Sequence, residues 1–188
     1  MKVVEGMSPM MRHYMEVKEQ YPDCFLFYRL GDFYEMFFED AVEGSRIMEL
    51  TLTGRDCGLK ERAPMCGVPY HSVDTYVQKL ISKGYKVAIC EQMEDPALAK
   101  GLVQRSVTRV ITPGTVIEEK LLDAGKNNYL MSVYYTDSGI GYAYADVSTG
   151  IFFTGELSEN GGEDALLNEL GRIAPSECIA NEAFFSHE

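Results

Sequence analysis

The stretch Cys24-Phe25-Leu26-Phe27-Tyr28-Arg29-Leu30-Gly31-Asp32-Phe33-Tyr34-Glu35-Met36-Phe37 decides how the rest of the chain is read. From Cys24 to Leu30 nearly every residue is apolar or aromatic, and the run is short, bounded by Pro22 and Gly31, which predicts a strand buried on both faces. Eight of the chain's 12 Tyr and 9 Phe fall between Tyr21 and Phe38, and most of them must be core. Phe33 and Glu35 stand apart. At i and i+2 they share a side only on an extended backbone, whereas on a helix they diverge by about 200°. The competing reading makes Asp32 an N-cap and Glu35 its N3 partner, a capping box that sends Phe33 into the core.

Upstream, Ser8 followed by Pro9 signals a helix start, and Met11, Tyr14, Met15 and Lys18 recur at helical spacing until Tyr21-Pro22. Downstream, Phe38, Ala41, Val42, Ser45 and Met48 mark a second helix with Glu39 and Asp40 in its first turn. Leu50 to Pro69, with three glycines and two prolines, reads as loop with strand fragments. Ser72 is expected to cap a helix carrying Tyr76, Val77, Leu80 and Ile81 and closed by Gly84; Tyr85 to Cys90 and Val103 to Thr112 then read as strands. A mostly polar segment, residues 116–128, reads as a linker. Three strand-like runs follow, Tyr129 to Tyr135, Gly141 to Val147 and Ile151 to Leu157, then a helix from about Glu163 to Ile173 and a short run from Cys178 to Ala180. The expected fold class is α/β in the mixed α+β sense: a compact mixed-sheet domain over residues 1–115, the linker 116–128, and a smaller, incomplete unit over 129–188 whose sheet is covered by one helix.

The 188 residues carry 17 Lys+Arg against 29 Asp+Glu, a net charge of -12. That balance excludes a protein gripping nucleic acid by bulk charge, which usually needs a pI above about 9. The charge is uneven, however. Residues 1–115 hold 14 Lys+Arg against 16 Asp+Glu, whereas residues 116–188 hold 3 against 13. The near-neutral first part is compatible with a domain that probes bases without clamping phosphate. No run approaches the roughly 18 apolar residues of a membrane span, and Met1 to Gly6 lacks an apolar leader core, so a cytoplasmic protein without membrane contact is expected. Five cysteines with no Cys-x-x-Cys pair fit reduced thiols; Cys57, Cys66 and His71 match no zinc-site spacing.

Four blocks carry a family resemblance: Phe27 to Phe37 as quoted above; Pro64-Met65-Cys66-Gly67-Val68-Pro69-Tyr70-His71; Val87-Ala88-Ile89-Cys90-Glu91-Gln92; and Val110-Ile111-Thr112-Pro113-Gly114-Thr115. Together they closely resemble the N-terminal mismatch-recognition domain of the MutS DNA mismatch-repair family. The remainder resembles the start of that family's connector domain, a ribonuclease H-like fold. The resemblance implies that Phe33 and Glu35 occupy the family's Phe-x-Glu reading motif, which enters DNA from the minor groove at a mispaired or unpaired base. It places Arg55 at a DNA-backbone contact. Lys60 and Arg62, in the same loop, are candidate phosphate contacts, and Leu30 a candidate for packing beside the distorted base step. His71 is assigned no chemistry.

The residue types suit that task. An apolar wedge unstacks a base step at a cost of a few kcal/mol, least where pairing is already defective, so mispairs are selected by deformability. Glu35 meets like charge near phosphates; it would donate to a purine ring nitrogen when protonated or accept from an exposed base N-H when ionised. On intact duplex neither partner is available, and repulsion disfavours the wrong complex.

No Gly-x4-Gly-Lys-Ser/Thr phosphate loop occurs in the 188 residues. With the resemblance, which implies a larger parent ATPase that uses ATP and Mg and forms a homodimer, the chain is expected to be a non-enzymatic N-terminal piece, monomeric and without cofactor. Its expected partners are mismatched double-stranded DNA and the remaining domains of the parent. Two alternatives remain: a ribonuclease H-like nuclease using Asp146 as a metal-binding carboxylate, which lacks evident second and third carboxylates, and a protein-interaction module without DNA binding of its own.

Overall fold

In the computed structural model, which describes residues 5–95, 97–99, 101–123, 125–158 and 162–186, the chain divides into two compact units, Met1–Ile111 and Thr112–Glu188. Met1 to Val4, most of the stretch read for a leader, lie outside the described residues.

The first unit opens with α1 (Pro9–Gln20), whose Ser8 hydroxyl accepts from Met11 N at 3.4 Å, with Pro9 supplying the fixed φ at the helix start. β1 (Cys24–Leu30) and β2 (Phe33–Phe37) form an antiparallel hairpin through the two residues Gly31-Asp32, with Leu30 opposite Phe33. Gly31 has φ +60° and Asp32 does not share it, the pattern of a two-residue turn whose twist suits flanking strands. The backbone at Phe33 and Glu35 is thus extended, and the capping-box alternative at Asp32 does not form.

β2 passes without a loop into α2 (Phe38–Met48). β3 (Thr53–Arg55) and β4 (Ala63–Pro69) follow, then a 3-10 turn (Tyr70–Ser72), α3 (Val73–Ile81), β5 (Lys86–Gln92) and β6 (Arg105–Ile111). The sheet order is β3-β4-β2-β1-β5-β6, parallel only at β1 and β5. The segment expected to be loop with fragments therefore supplies a seven-residue strand next to β2; its prolines, Pro64 and Pro69, lie near the ends, where a missing N-H is tolerated. Ser72 does not act as a side-chain cap, because the 3-10 turn directs its hydroxyl to Pro69 O at 3.2 Å.

One face of this sheet, carrying Cys24, Leu26, Tyr28 and Phe37, packs under α1 through Met11, Tyr14 and Met15. On the other face α2 packs over Phe25 and Met36, where Gly44 permits close approach. Asp40, expected only as an acidic first-turn residue, is buried. It accepts from Leu26 N at 2.9 Å and pairs with Lys18 Nζ at 2.9 Å, tying α2 to β1 and α1. Burial pushes its carboxyl above the usual range, against the pull of Lys18. Asp40→Ala should cost about 2–4 kcal/mol, since it strands the buried Leu26 N-H and leaves the Lys18 ammonium only the Pro22 and Cys24 carbonyls, and Asp40→Asn distinctly less. Amide exchange of β1 under mild denaturant measures both.

His13 on α1 hydrogen bonds through Nδ1 to the Tyr28 hydroxyl at 2.8 Å. Burial holds its imidazole below the ordinary 6.5. The unfolded chain thus takes up this proton more readily than the folded one, so the stability associated with His13 is present above pH 6.5 and declines as pH falls below it. The urea midpoint should drop from neutral to mildly acid pH, and His13→Gln should flatten that drop.

The second unit begins with the Thr112–Thr115 turn, held by Glu177, which accepts from Thr112 Oγ1 and from Gly114 N at 3.0 Å. Val116 and Leu121, within the segment expected to be a polar linker, are buried. β7 (Tyr129–Thr136), β8 (Gly139–Asp146) and β9 (Ile151–Ser158) form a meander; α4 (Gly162–Ile173), β10 (Glu177–Ala180) and α5 (Glu182–Ser186) complete the unit. β10 adds parallel to β7, giving the order β10-β7-β8-β9. Met131, Val133, Ile140 and Tyr144 form a core with Leu166 and Ile173 of α4. Among the described residues no helix is long and apolar enough to cross a membrane.

Candidate nucleic-acid interface

Alternation along β2 sorts its side chains: Tyr34 and Met36 are buried on the α2 face, while Phe33 and Glu35 point to the other. Register then names their neighbours. Phe33 lies between Leu30 on β1 and Pro69 on β4; Glu35 lies between Tyr28 and Gly67. Phe33 is 47% exposed although its strand is central in the sheet. Leu30 is half-buried against the α1 core and forms an apolar shoulder for the ring.

The hairpin tip is fixed by donors to three of its carbonyls. Arg29 Nε donates to Gly31 O, Tyr70 N to Asp32 O at 2.9 Å, and Arg105 Nε to Arg29 O at 2.8 Å. On the face opposite Phe33, the Arg29 guanidinium lies 4.0 Å from the Tyr70 ring centroid and 5.4 Å from that of Tyr34, and pairs with Glu91 at 3.8 Å. The Tyr34 hydroxyl donates to the same Glu91, and burial together with that carboxylate pushes it up to about 12. Phe33 is therefore carried on a braced turn.

Glu35 reaches across β4 to β3. Its carboxylate forms an ion pair with Arg55, and its side chain is 13% exposed against 39% for Arg55. Gly67 leaves room for the crossing: a Cβ there would lie 3.3 Å from Glu35 Cγ and 3.2 Å from Tyr34 O, close enough to push the side chain aside. The structure thus gathers Phe33, Glu35, Leu30 and Arg55 on one face. Lys60 and Arg62 lie exposed in the connection between β3 and β4.

The residues that sequence reasoning did not single out are Arg29, Tyr34, Tyr70, Glu91 and Gly67. Gly67 carried a readable signal, an isolated glycine inside an apolar run. The Arg29 cluster spans three strands and a turn, and nothing local announces it.

A model of MutS domain I matches residues 8–120, and a model of MutS domain II matches residues 128–188. The chain belongs to the MutS family. It is 58% identical over 183 residues to the DNA mismatch repair protein MutS of Acetivibrio thermocellus, covering 97% of this chain and 21% of the relative. To the protein of that name from Ruminiclostridium cellulolyticum it is 59% identical over 174 residues, 93% of this chain and 20% of the relative. The chain thus spans about a fifth of the length of these MutS relatives.

Outside the domain I face, Asp146 at the end of β8 is fully engaged. Oδ1 accepts from Ser148 N at 3.0 Å, Ser148 Oγ at 2.6 Å and Thr149 N at 3.2 Å, and Oδ2 from Asn128 N at 3.1 Å. The Ser148 hydroxyl, followed by these backbone donors, holds its carboxyl below the usual range. Asp146 organises the turn after β8. Among the described residues no group of three His, Cys, Asp or Glu side chains is placed to hold a metal ion, and Cys57 and Cys66 are buried separately from the exposed His71.

Arg29→Ala should lower stability of the first unit by about 1–2 kcal/mol through loss of the ring contacts and the Gly31 carbonyl bond. Backbone order parameters at residues 31–33 should fall with it, which relaxation measurements on the free chain would detect.

Proposed function

We propose that this chain reads mispaired or unpaired bases in double-stranded DNA, as the recognition part of a larger DNA mismatch-repair protein. Phe33 is the wedge that enters from the minor groove, and Glu35 is the group that meets the mispaired base. The observation that supports this most directly is the presentation of Phe33: a large ring, 47% exposed, on a central strand whose turn is braced, with a carboxylate two residues along the same face. A single exposed aromatic needs no explanation; one held rigidly beside a masked carboxylate does.

The energetics favour defective sites. Unstacking costs a few kcal/mol on intact duplex and less at a mispair. A difference of about 2 kcal/mol gives roughly 30-fold discrimination. Leu30 packs beside the distorted step. Arg55, Lys60 and Arg62 hold phosphates, contacts that carry no sequence information. Three cations neutralise little backbone charge, so isolated binding is weak, with a shallow salt slope of about three at most.

ATP and Mg chemistry and homodimerisation belong, in this reading, to other parts of the complete protein, with the chain itself monomeric and cytoplasmic. The second unit, bounded in this reading by the 116–128 segment, connects recognition to those parts. A nuclease role for Asp146 is disfavoured because both carboxylate oxygens already accept protein donors.

Fluorescence anisotropy at low salt, with a G·T or one-base-bulge duplex beside its matched control, tests the proposal. The chain should bind the defective duplex more tightly, and Phe33→Ala should erase most of the difference. Equal curves for both duplexes and both proteins would refute it.

A further inference from the structure

The proposed function treats Glu35 and Arg55 as separate DNA contacts, yet in the free protein each is the other's partner. Gly67 lets the carboxylate lie over β4 toward β3, away from the Phe33 ring and largely out of solvent. Arg55 is three times as exposed as Glu35, 39% against 13%, so an incoming phosphate meets the guanidinium first. Phe33 is presented, and its companion carboxylate is withheld.

We propose that Arg55 determines specificity by changing partners: a DNA phosphate takes the guanidinium, and the released Glu35 carboxylate swings to the base step that Phe33 has opened. The inference rests on the mismatch-reading function above. Guanidinium suits the exchange because carboxylate and phosphate offer it similar planar, charge-assisted hydrogen bonding, so Arg55 itself gains or loses little. The imbalance falls on Glu35. On matched duplex the base hydrogen-bonding groups are occupied, and a carboxylate stripped of its cation stands unpaired near phosphates. At a mispair or bulge, unstacking exposes a base N-H or ring nitrogen, and Glu35 recovers a partner. The ion pair thus makes a phosphate contact, sequence-blind by itself, contribute to discrimination.

Binding of this chain to matched and G·T duplexes, followed across a salt series for Glu35→Gln, Arg55→Met, Arg55→Lys, the Glu35→Gln/Arg55→Met pair and Phe33→Ala, tests the exchange. Glu35→Gln should tighten matched-duplex binding about fivefold when Arg55 is present and less than about twofold in the Arg55→Met background, a coupling expected of interacting groups. Arg55→Met should reduce the salt slope by about one, and Arg55→Lys, which keeps the charge, should preserve it. Equal effects of Glu35→Gln in both backgrounds would overturn the exchange. So would an unchanged slope in Arg55→Met, which would leave Arg55 on Glu35 in the complex. Failure of Phe33→Ala to affect either duplex would instead remove the underlying mismatch-reading function, so the two failures are distinguishable.

Discussion

Hydrogen bonding of β2 on both edges, to β1 through a two-residue turn and to β4 along five residues, is the constraint on which the candidate interface depends. A strand paired on both sides cannot slip by one residue without exchanging its faces. Tyr34 and Met36 occupy the α2-side core, so slippage would expose them and bury Phe33 and Glu35. Burial on one face therefore dictates presentation on the other. The exposed ring is placed in part by side chains that pack on the opposite face of the sheet.

Polar groups inside the first unit work to the same end. Asp40 joins α1, β1 and the start of α2 in one buried arrangement, and Arg29 joins the hairpin tip to Tyr70 and Glu91. Both satisfy donors or acceptors that the fold would otherwise strand, and both restrict motion of the strand that carries Phe33. For the proposed function, a braced ring would lose little entropy on insertion, which matters where few phosphate contacts are proposed.

Much of this was legible in the sequence where the signal is local. The Ser8-Pro9 helix start, the buried run from Cys24 to Leu30 and the meander of the second unit follow from patterns within about ten residues. β4 was obscured because prolines and Gly67 interrupt its apolar pattern, although they sit where the sheet tolerates or needs them. Spacing alone left Phe33 and Glu35 open between an extended pair and a capping box; the two-residue turn resolves it. The Glu35–Arg55 pair was illegible in principle, since its members are 20 residues apart and a third strand lies between them. The family resemblance implies a DNA contact for each of Arg55 and Glu35, but nothing in the residues announces that they pair with each other.

Gly67 carries no charge, no ring and no hydrogen-bonding side chain, yet the Glu35 side chain crosses the sheet over that bare position, where an added Cβ would crowd it. In a deep mutational scan, substitutions there should therefore cluster with those at the acidic residue it accommodates, larger side chains being worse than alanine. Such a silent position is a genetic marker of where the carboxylate rests, and it would reveal that resting place in relatives for which only mutational data exist.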